Sequence, residues 1–451
     1  MQYLDFLKSQ KKKKGEEDSQ SVTSQLQFPT GFMYLDYICG NYITPEGDDG
    51  PICQYHNIGQ LAGSVNMIIA KSQNGKSTLA VEMGLGILEP WLTEDGMRRY
   101  LKKEDNPKFD WDPKSIMLYL DTEGTQKLDY VKKVGLLKRN TLRNHVDLRR
   151  IVTDKDLYRE INRHISYKVS CMTPVVYPMR DLYGDPIEMY PPTVVIIDSV
   201  TQLTLEKVVG MDDKAYEQQM QNPAGAQRAK IISAIYTQLV SVAKKYNIVF
   251  FMVNHINKAP AMSFLPQPKQ YHGLKQDETI SGGERSMYLV TNILRLDRVK
   301  SIGTEKSSYL DLGEGVTGHV CLASFIKNKS NSRNNTCFLI YTNRRGFDPL
   351  LSTLYTAKER GDLQKVGNFF VLDNFPSYKF TLKTAHEVFA EHPEMILALY
   401  LQFRDKCEVL MDNRPFSEIL DMDRKQTEMM LNDDEEEEDH TIDFLNSLDL
   451  V

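Results

Sequence analysis

The chain has 451 residues, of which 41% are hydrophobic and 26% charged, and its formal net charge at pH 7 is −6. This composition is typical of a large folded domain with appendages, and the acidic balance argues against indiscriminate binding to polyanions. No apolar run approaches the roughly 20 residues that a membrane-spanning helix needs, and the first residues do not form a secretory signal. The six cysteines form no CxxC pair, so the sequence predicts a reducing, cytoplasmic location without membrane contact.

The segment 1–25 combines a small apolar cluster with a run of lysines at 11–14. Its apolar residues follow helical spacing: Tyr3, Leu4, Phe6 and Leu7. We predict a short N-terminal helical arm and a charged linker, in which the arm docks on a neighbouring copy of the chain. A frayed terminus is the alternative.

Strand-like and helix-like segments alternate over residues 26–358, the pattern of a mostly parallel central sheet with crossover helices. Four short apolar runs in this region predict buried parallel strands: 65–69, 116–120, 193–197 and 248–253. In an open α/β sheet, ligands bind beyond the carboxyl ends of the strands. The polar residues that follow the four runs are therefore candidate ligand residues: Lys76, Glu123, Asp198 and His255.

The remaining segments lie between or after the core elements. Segments 89–113 and 172–192 are rich in charge, proline or aromatic residues, and we interpret both as surface insertions. Residues 359–431 are predicted to form a small, mostly helical C-terminal region, and residues 432–451 an acidic disordered tail with an apolar tip. The tail's role stays open between an autoinhibitory DNA mimic, a partner-binding peptide and a solubilising segment.

The segment that follows the first apolar run has the pattern of a phosphate-binding loop, because it begins after a strand and opens a helix. It reads Ala70, Lys71, Ser72, Gln73, Asn74, Gly75, Lys76, Ser77 and Thr78. Backbone N–H groups would cradle the phosphates of ATP, Lys76 would neutralise them, and Ser77 would bind Mg²⁺. Ala70 replaces the first glycine of the usual pattern, and a fortuitous Gly-Lys-Ser sequence is the alternative.

Carboxylates follow two other strands of the predicted sheet. Asp198 is the candidate second Mg²⁺ residue, unless it only caps the turn that follows. Glu123 is the candidate that polarises the attacking water, and Asp121 competes for that role because it lies two residues earlier on the same side of the strand.

With these motifs the chain resembles the RecA-type recombinases, and most closely their phage UvsX branch. The resemblance covers about residues 27–354 and depends on the order and spacing of several short segments. Besides the phosphate loop, these are residues 30–36, 120–124, 197–200, 254–255, 282–288, 326–329 and 343–349.

The resemblance implies roles for further residues of the site. Tyr130 would stack on adenine, and His255 would sense the γ-phosphate and join Glu123 and Lys76 as a catalytic residue. Lys327 and Lys329 would reach the ATP of an adjacent subunit. The implied fold is a RecA-like P-loop ATPase core of the α/β class, with a mostly parallel sheet flanked by helices.

Two loops are the candidate DNA-binding elements. Residues 256–281 have no helix or strand period, and residues 207–226 form the other loop. Lysines neutralise phosphates and apolar tips separate stacked bases. The candidate DNA-binding residues are Met211, Arg228, Lys258, Phe264, Lys269, Lys275, Gly282, Gly283 and Arg285. A plain surface loop, and an ordinary exposed helix position for Arg228, are the alternatives.

The resemblance thus implies a DNA-dependent ATPase that uses ATP and Mg²⁺. It would form helical filaments on single-stranded DNA, pair that strand with a homologous duplex, and exchange strands in recombination, repair and recombination-dependent replication. Single-strand-binding and loader proteins would be partners, and a phage origin would make the location the host cytoplasm. The alternatives are a hexameric RecA-fold helicase and a non-catalytic ATP-binding filament or mediator protein.

Overall fold

The computed structural model describes residues 26–40, 58–124, 145–180, 186–199, 202–203, 224–258, 273–275, 278–280, 283–303, 310–331 and 336–408. The predicted arm at 1–25 and tail at 432–451 lie outside these ranges. Within them, no helix is long and apolar enough to cross a membrane.

The strands are β1 (Gln27–Phe28), β2 (Gln60–Leu61), β3 (Val65–Ala70), β4 (Met117–Asp121), β5 (Val146–Arg150), β6 (Val175–Arg180), β7 (Pro186–Met189), β8 (Thr193–Asp198), β9 (Ile248–Lys258), β10 (Glu278–Ile280), β11 (Asn292–Ile302), β12 (Gly318–Asn328), β13 (Thr336–Thr342), β14 (Gly346–Phe347), β15 (Gln364–Val366), β16 (Phe369–Leu372) and β17 (Phe375–Phe380). The α-helices are α1 (Met33–Cys39), α2 (Lys76–Leu88), α3 (Glu94–Met97), α4 (Asp154–Cys171), α5 (Ala224–Tyr246), α6 (Gly283–Leu289), α7 (Pro349–Arg360), α8 (Ala385–Glu391) and α9 (Glu394–Glu408).

A ten-stranded mixed sheet forms the centre of the described structure. Strands β11, β3, β9, β8, β4 and β5 are neighbours in that order and run parallel. Strands β12, β13 and β14 extend the β11 side in antiparallel fashion, and β10 pairs antiparallel with β9. The predicted α/β class with a mostly parallel sheet is confirmed, and the four predicted strands correspond to β3, β4, β8 and β9.

Helices cover both faces of the parallel part of the sheet. Ile68 of β3 belongs to the hydrophobic layer that contains Leu79 of α2, whereas Met67 belongs to the layer that contains Leu239 of α5. All six residues of β3 are buried. Successive side chains point to opposite faces of a strand, so burial on both faces explains why the sequence shows a continuous apolar run instead of alternation.

The two predicted insertions are not simple surface excursions. Trp91 lies in a 3₁₀ helix of the first segment and is only 1% exposed. Its ring lies 6.1 Å from that of Phe28, 5.4 Å from that of Tyr100 and 6.1 Å from that of Tyr177, which lies on the β6–β7 hairpin of the second segment. The surface interpretation was therefore wrong for these aromatic residues, because the large area they bury makes them part of the core.

The C-terminal region differs from the prediction in its first part. The predicted boundary at 358/359 falls inside α7, which ends at Arg360 and is capped by Gly361 at φ +78°. A three-stranded antiparallel sheet, β15–β17, then precedes the expected helices α8 and α9. The two-residue turn Gly367-Asn368, with Gly367 at φ +63°, joins β15 to β16. This dipeptide is a hairpin pattern that the helical prediction overlooked.

A buried polar network joins several elements at the amino-terminal edge of the sheet. Lys168 of α4 is fully buried, and its Nζ donates to Oγ1 of Thr193 at 3.0 Å and to the carbonyl of Asn247 at 2.9 Å. Nε2 of His164 lies 2.9 Å from the same Thr193 oxygen. Burial lowers the pKa of His164 to about 3 and lowers the pKa of Lys168 as well. Thr193 thus provides the shared partner of two buried nitrogens.

We expect Thr193→Val to reduce the free energy of unfolding by about 2–4 kcal/mol, because both nitrogens lose a hydrogen-bond partner while the side-chain shape is kept. Denaturant unfolding of the purified protein measures the loss. The matched control is Thr237→Val, an exposed position whose hydroxyl donates to a carbonyl of its own helix; its effect should stay within about 0.5 kcal/mol. Equal losses in the two variants would contradict the assignment.

Candidate functional site

The carboxyl ends of four parallel strands meet at one edge of the sheet. Ala70 of β3 is paired with His255 of β9, and Asp198 of β8 is paired with Asp121 of β4. Because these strands are adjacent and end at the same level, the polar residues that follow them lie around one position. The structure therefore brings Lys76, Glu123, Asp198 and His255 to this edge, as the sequence predicted.

The loop between β3 and α2 has a tightly curved backbone. Gly75 has φ +80°, and a Cβ atom added there would approach the Phe347 ring to 2.7 Å. Glycine is therefore required both for its conformation and for space. Lys76 begins α2, is 5% exposed, and donates from Nζ to the carbonyl of Lys71 at 3.1 Å. A buried amine is thus folded back over a glycine-bearing turn at a helix N-terminus, an arrangement that fits an anionic phosphate group.

Burial and nearby carboxylates act on Lys76 in opposite directions. Burial lowers its pKa, and the charges of Asp198 and Glu123 partly counter that effect. The amine therefore lies within electrostatic reach of both carboxylates, and its charged form is the one they favour.

Two hydroxyl groups hold the carboxylate of Asp198. Its Oδ2 accepts hydrogen bonds from Ser77 Oγ at 2.6 Å and from the Tyr119 hydroxyl at 2.5 Å. Burial raises the pKa of Asp198, although the two hydroxyl hydrogen bonds act to lower it. Oxygen ligands from a hydroxyl and a carboxylate suit Mg²⁺, so the Ser77–Asp198 pair fits the metal role predicted for it.

Tyr119 was not predicted, although the sequence contained a weak indication of its position. It lies two residues before Asp121 on β4, so both side chains point to the same side of the sheet. A hydroxyl-bearing residue within a buried strand needs a polar partner, and here that partner is Asp198.

Asp121 and Glu123 have different surroundings. Oδ1 of Asp121 accepts from the backbone N–H groups of Glu123 and Gly124 at 3.0 and 2.9 Å, and so shapes the turn after β4. Oε1 of Glu123 lies 3.3 Å from Nε2 of His255, with both side chains about 30% exposed. Glu123 is therefore the more exposed of the two carboxylates, and Asp121 shapes the turn that carries it.

Aromatic side chains that the sequence analysis missed pack beside the loop between β3 and α2. His319 and Tyr341 stack with ring centroids 4.8 Å apart, and Tyr341 meets Phe347 at 5.4 Å. Burial lowers the pKa of His319 to about 4, so the ring is neutral at pH 7. These residues lie on β12, β13 and β14, and only the pairing of the antiparallel strands brings them to the loop.

Lys327 has partners within its own protomer. Its Nζ donates to the carbonyls of Met287 and Tyr288 at 2.7 Å each, at the C-terminal end of α6. Burial, together with the charge of Lys329, lowers the pKa of Lys327 to about 8. Lys329 is exposed, and its backbone N–H donates to Asn292 Oδ1 at 3.1 Å. The predicted contact of both lysines with ATP involves the ATP of a second copy of the chain, so it stays a prediction.

The candidate DNA-binding residues are only partly described. Four of them lie outside the described residues: Met211, Phe264, Lys269 and Gly282. Tyr130, the predicted adenine contact, lies outside them as well. The backbone is described, but not the side chain, at Arg228 in α5, Lys258 in β9, and Arg285 in α6, which Gly283 begins. Lys275 is exposed.

The two predicted DNA loops are shorter than expected. β9 continues through Lys258, and Glu278–Ile280 returns along it as β10, so the long loop has paired strands at its two ends. The first loop, predicted over 207–226, ends where α5 begins at Ala224. The long loop is shorter than predicted because its two ends pair as strands, and such pairing depends on the partner strand.

No family model matches the chain, and a search of curated proteins finds no matching sequence.

Lys327 should lose its charge as the pH rises through about 8, because its pKa in the folded protein is lowered from the ordinary 10.5. The charged form is then present below that value and absent above it. The carbon-13 shift of the lysine side chains as a function of pH measures the midpoint, and the resonance that disappears in Lys327→Arg identifies the residue. A midpoint above pH 10 for that resonance would contradict the expectation.

Proposed function

We propose that the chain is an ATP-dependent DNA recombinase with a RecA-like P-loop core, most similar to the phage UvsX branch. The observation that carries the proposal is the hydrogen bond from Ser77 to Asp198, formed beside the buried amine of Lys76 at the carboxyl edge of a parallel sheet. A hydroxyl, a carboxylate and a lysine at a helix N-terminus are the groups that Mg²⁺ and ATP phosphates require. The sequence resemblance over residues 27–354 supports the same reading.

Each residue has a defined task in this proposal. When bound, ATP supplies the phosphoryl group, and Mg²⁺ supplies charge neutralisation. Lys76 would contact the phosphate oxygens, and Ser77 with Asp198 would hold the metal. Glu123 orients water and accepts its proton, while His255, 3.3 Å from Glu123, lies where it can sense the γ-phosphate. Lys327 and Lys329 would reach the ATP of a neighbouring protomer.

In this proposal, DNA binds to the segment that follows β9 and to the segment that precedes α5. His255 is three residues before the end of β9, so a contact that moves it also moves the entry to the long loop. Lysines of that loop would bind single-stranded DNA through its phosphates, independently of sequence and with a strong salt dependence. Head-to-tail contacts between copies would give an open helical filament. We further propose single-strand-binding and loader proteins as partners, and a cytoplasmic location.

Lys76→Ala should abolish ATP hydrolysis, because the amine that neutralises the phosphates is lost. Glu123→Gln should slow hydrolysis by about 10²–10⁴-fold while leaving nucleotide binding largely intact, since the change removes only the general base. Phosphate release in the presence of single-stranded DNA, with thermal unfolding as a check on folding, measures both effects. Hydrolysis by Lys76→Ala at the wild-type rate would show that the site assignment is wrong.

Electron microscopy with single-stranded DNA and a non-hydrolysable ATP analogue tests the recombinase activity class. We expect open helical filaments that form only when both ligands are present. Closed rings would favour a hexameric helicase, and the absence of any assembly would overturn the filament proposal.

A further inference from the structure

Arg295 of β11 makes an unusually complete set of contacts for a residue that the ATP site does not use. Its side chain is 5% exposed. Nη1 and Nη2 donate to the two carboxylate oxygens of Glu278 at 2.6 and 3.2 Å, and Nη1 also donates to the carbonyl of Gly273 at 2.9 Å. Nε and Nη2 donate to the carboxylate of Asp297 at 2.6 and 3.0 Å. The planar guanidinium therefore joins two carboxylates and one backbone carbonyl in a fixed geometry.

One side of this cluster leads to the phosphate-binding loop. β11 is the parallel neighbour of β3, and Leu296 is paired with Ala70, where that loop begins. Nδ2 of Asn74, within the loop, donates to the carbonyl of Leu296 at 3.3 Å. Arg295 is the residue directly before Leu296, so it is the chain neighbour of the residue that the loop contacts.

The other side leads to the end of the candidate DNA-binding loop. Glu278 begins β10, which pairs with β9 directly after His255. The backbone N–H of Lys275 donates to Glu278 Oε2 at 3.1 Å. Gly273 has φ +81°, and an added Cβ would approach the Ile326 side chain to 3.0 Å, so its carbonyl is held close to the sheet. Arg295 thus fixes the backbone on both sides of Lys275.

The energetics favour a positioning role over simple stabilisation. The Glu278 side chain is 3% exposed, whereas that of Asp297 is 36% exposed. Burial acts to raise the pKa of Glu278, but the hydrogen bonds from Arg295 and from the backbone of Lys275, together with the charges of both residues, outweigh burial and lower the pKa. A buried ion pair contributes little net stability compared with apolar residues of the same shape, yet it fixes geometry strictly, because either charge alone is strongly disfavoured.

We propose that Arg295 and Glu278 form a clamp that couples the phosphate-binding loop to the DNA-binding segment around Lys275. Arg295 acts as a positioning residue: it touches neither ligand, and it keeps Lys275 at a fixed place relative to β11 and Asn74. The inference rests on the proposed function, because it assumes that nucleotide and DNA bind at these two places. Through this clamp, nucleotide binding would tighten DNA binding by a second route, besides the one through His255.

Two carboxylate variants separate the clamp from a general loss of charge pairing. Glu278→Gln and Asp297→Asn each neutralise one of the two carboxylates that contact Arg295, and each keeps the side-chain shape. Only Glu278 belongs to the loop side, since Asp297 is on β11 itself. The experiment measures the affinity for a single-stranded oligonucleotide by electrophoretic mobility shift, with and without a non-hydrolysable ATP analogue, and thermal unfolding of each protein.

In the wild type we expect the analogue to tighten DNA binding by about 10–100-fold, in the usual range of coupling between two sites. In Asp297→Asn the coupling factor should stay within about threefold of the wild-type factor. In Glu278→Gln the analogue should tighten DNA binding by less than about threefold. Arg295→Lys keeps the charge but loses the fork-shaped contact, so its factor should also fall. It serves as the second variant if Glu278→Gln does not fold.

Equal coupling factors in the two carboxylate variants would overturn the clamp, whether both fall or both remain at the wild-type level. A wild-type protein that hydrolyses ATP and binds DNA, but with no effect of the analogue on DNA affinity, would overturn the clamp and leave the ATPase assignment standing. A wild type that neither binds DNA nor hydrolyses ATP would overturn the proposed function and the clamp together.

Discussion

The hydrogen bond from Ser77 to Asp198 is the contact on which the rest of the site depends. It joins the first turn of α2 to the end of β8, with β9 between β8 and β3 in the sheet. The loop after β3 must curve sharply to present Ser77 there, and Gly75 makes that curve possible. Tyr119 holds the same carboxylate oxygen from β4. Three segments far apart in sequence are thus fixed to one oxygen atom.

Burial disfavours the charged forms of both signs at this edge. It lowers the pKa of Lys76 and raises that of Asp198, and the charge of Asp198 partly counters the effect on Lys76. A ligand that carries negative phosphates together with a divalent cation would provide a partner for each group. This complementarity is a stronger argument for a metal–nucleotide site than either motif alone, because a fortuitous Gly-Lys-Ser sequence would not require the second charge.

The parallel part of the sheet was predictable because burial on both faces leaves a continuous apolar run, which β3, β4, β8 and β9 all show. The placement of the polar residues that follow these strands at one edge then followed from the general geometry of α/β sheets. The contacts of Tyr119, His319 and Arg295 were not predictable, since each depends on strand neighbours that are distant in sequence. The β15–β16 hairpin is a different case, because Gly367-Asn368 was visible in the sequence, although residues 359–431 as a whole were predicted to be mostly helical.

The aromatic cluster formed by the two inserted segments has a consequence for spectroscopy. Both tryptophans of the chain, Trp91 and Trp111, belong to the segment 89–113. Trp91 is enclosed by other rings, whereas Trp111 lies beside Phe109 at 5.2 Å and beneath the guanidinium of Arg98 at 5.4 Å. Trp91 lines a small cavity with Ser115 and Pro191, just before β4 and β8 begin. The intrinsic emission of the protein therefore originates at the end of the sheet opposite the loop between β3 and α2. A change in that emission on adding a ligand to the loop reports a rearrangement carried across the whole sheet, and not contact between ligand and fluorophore.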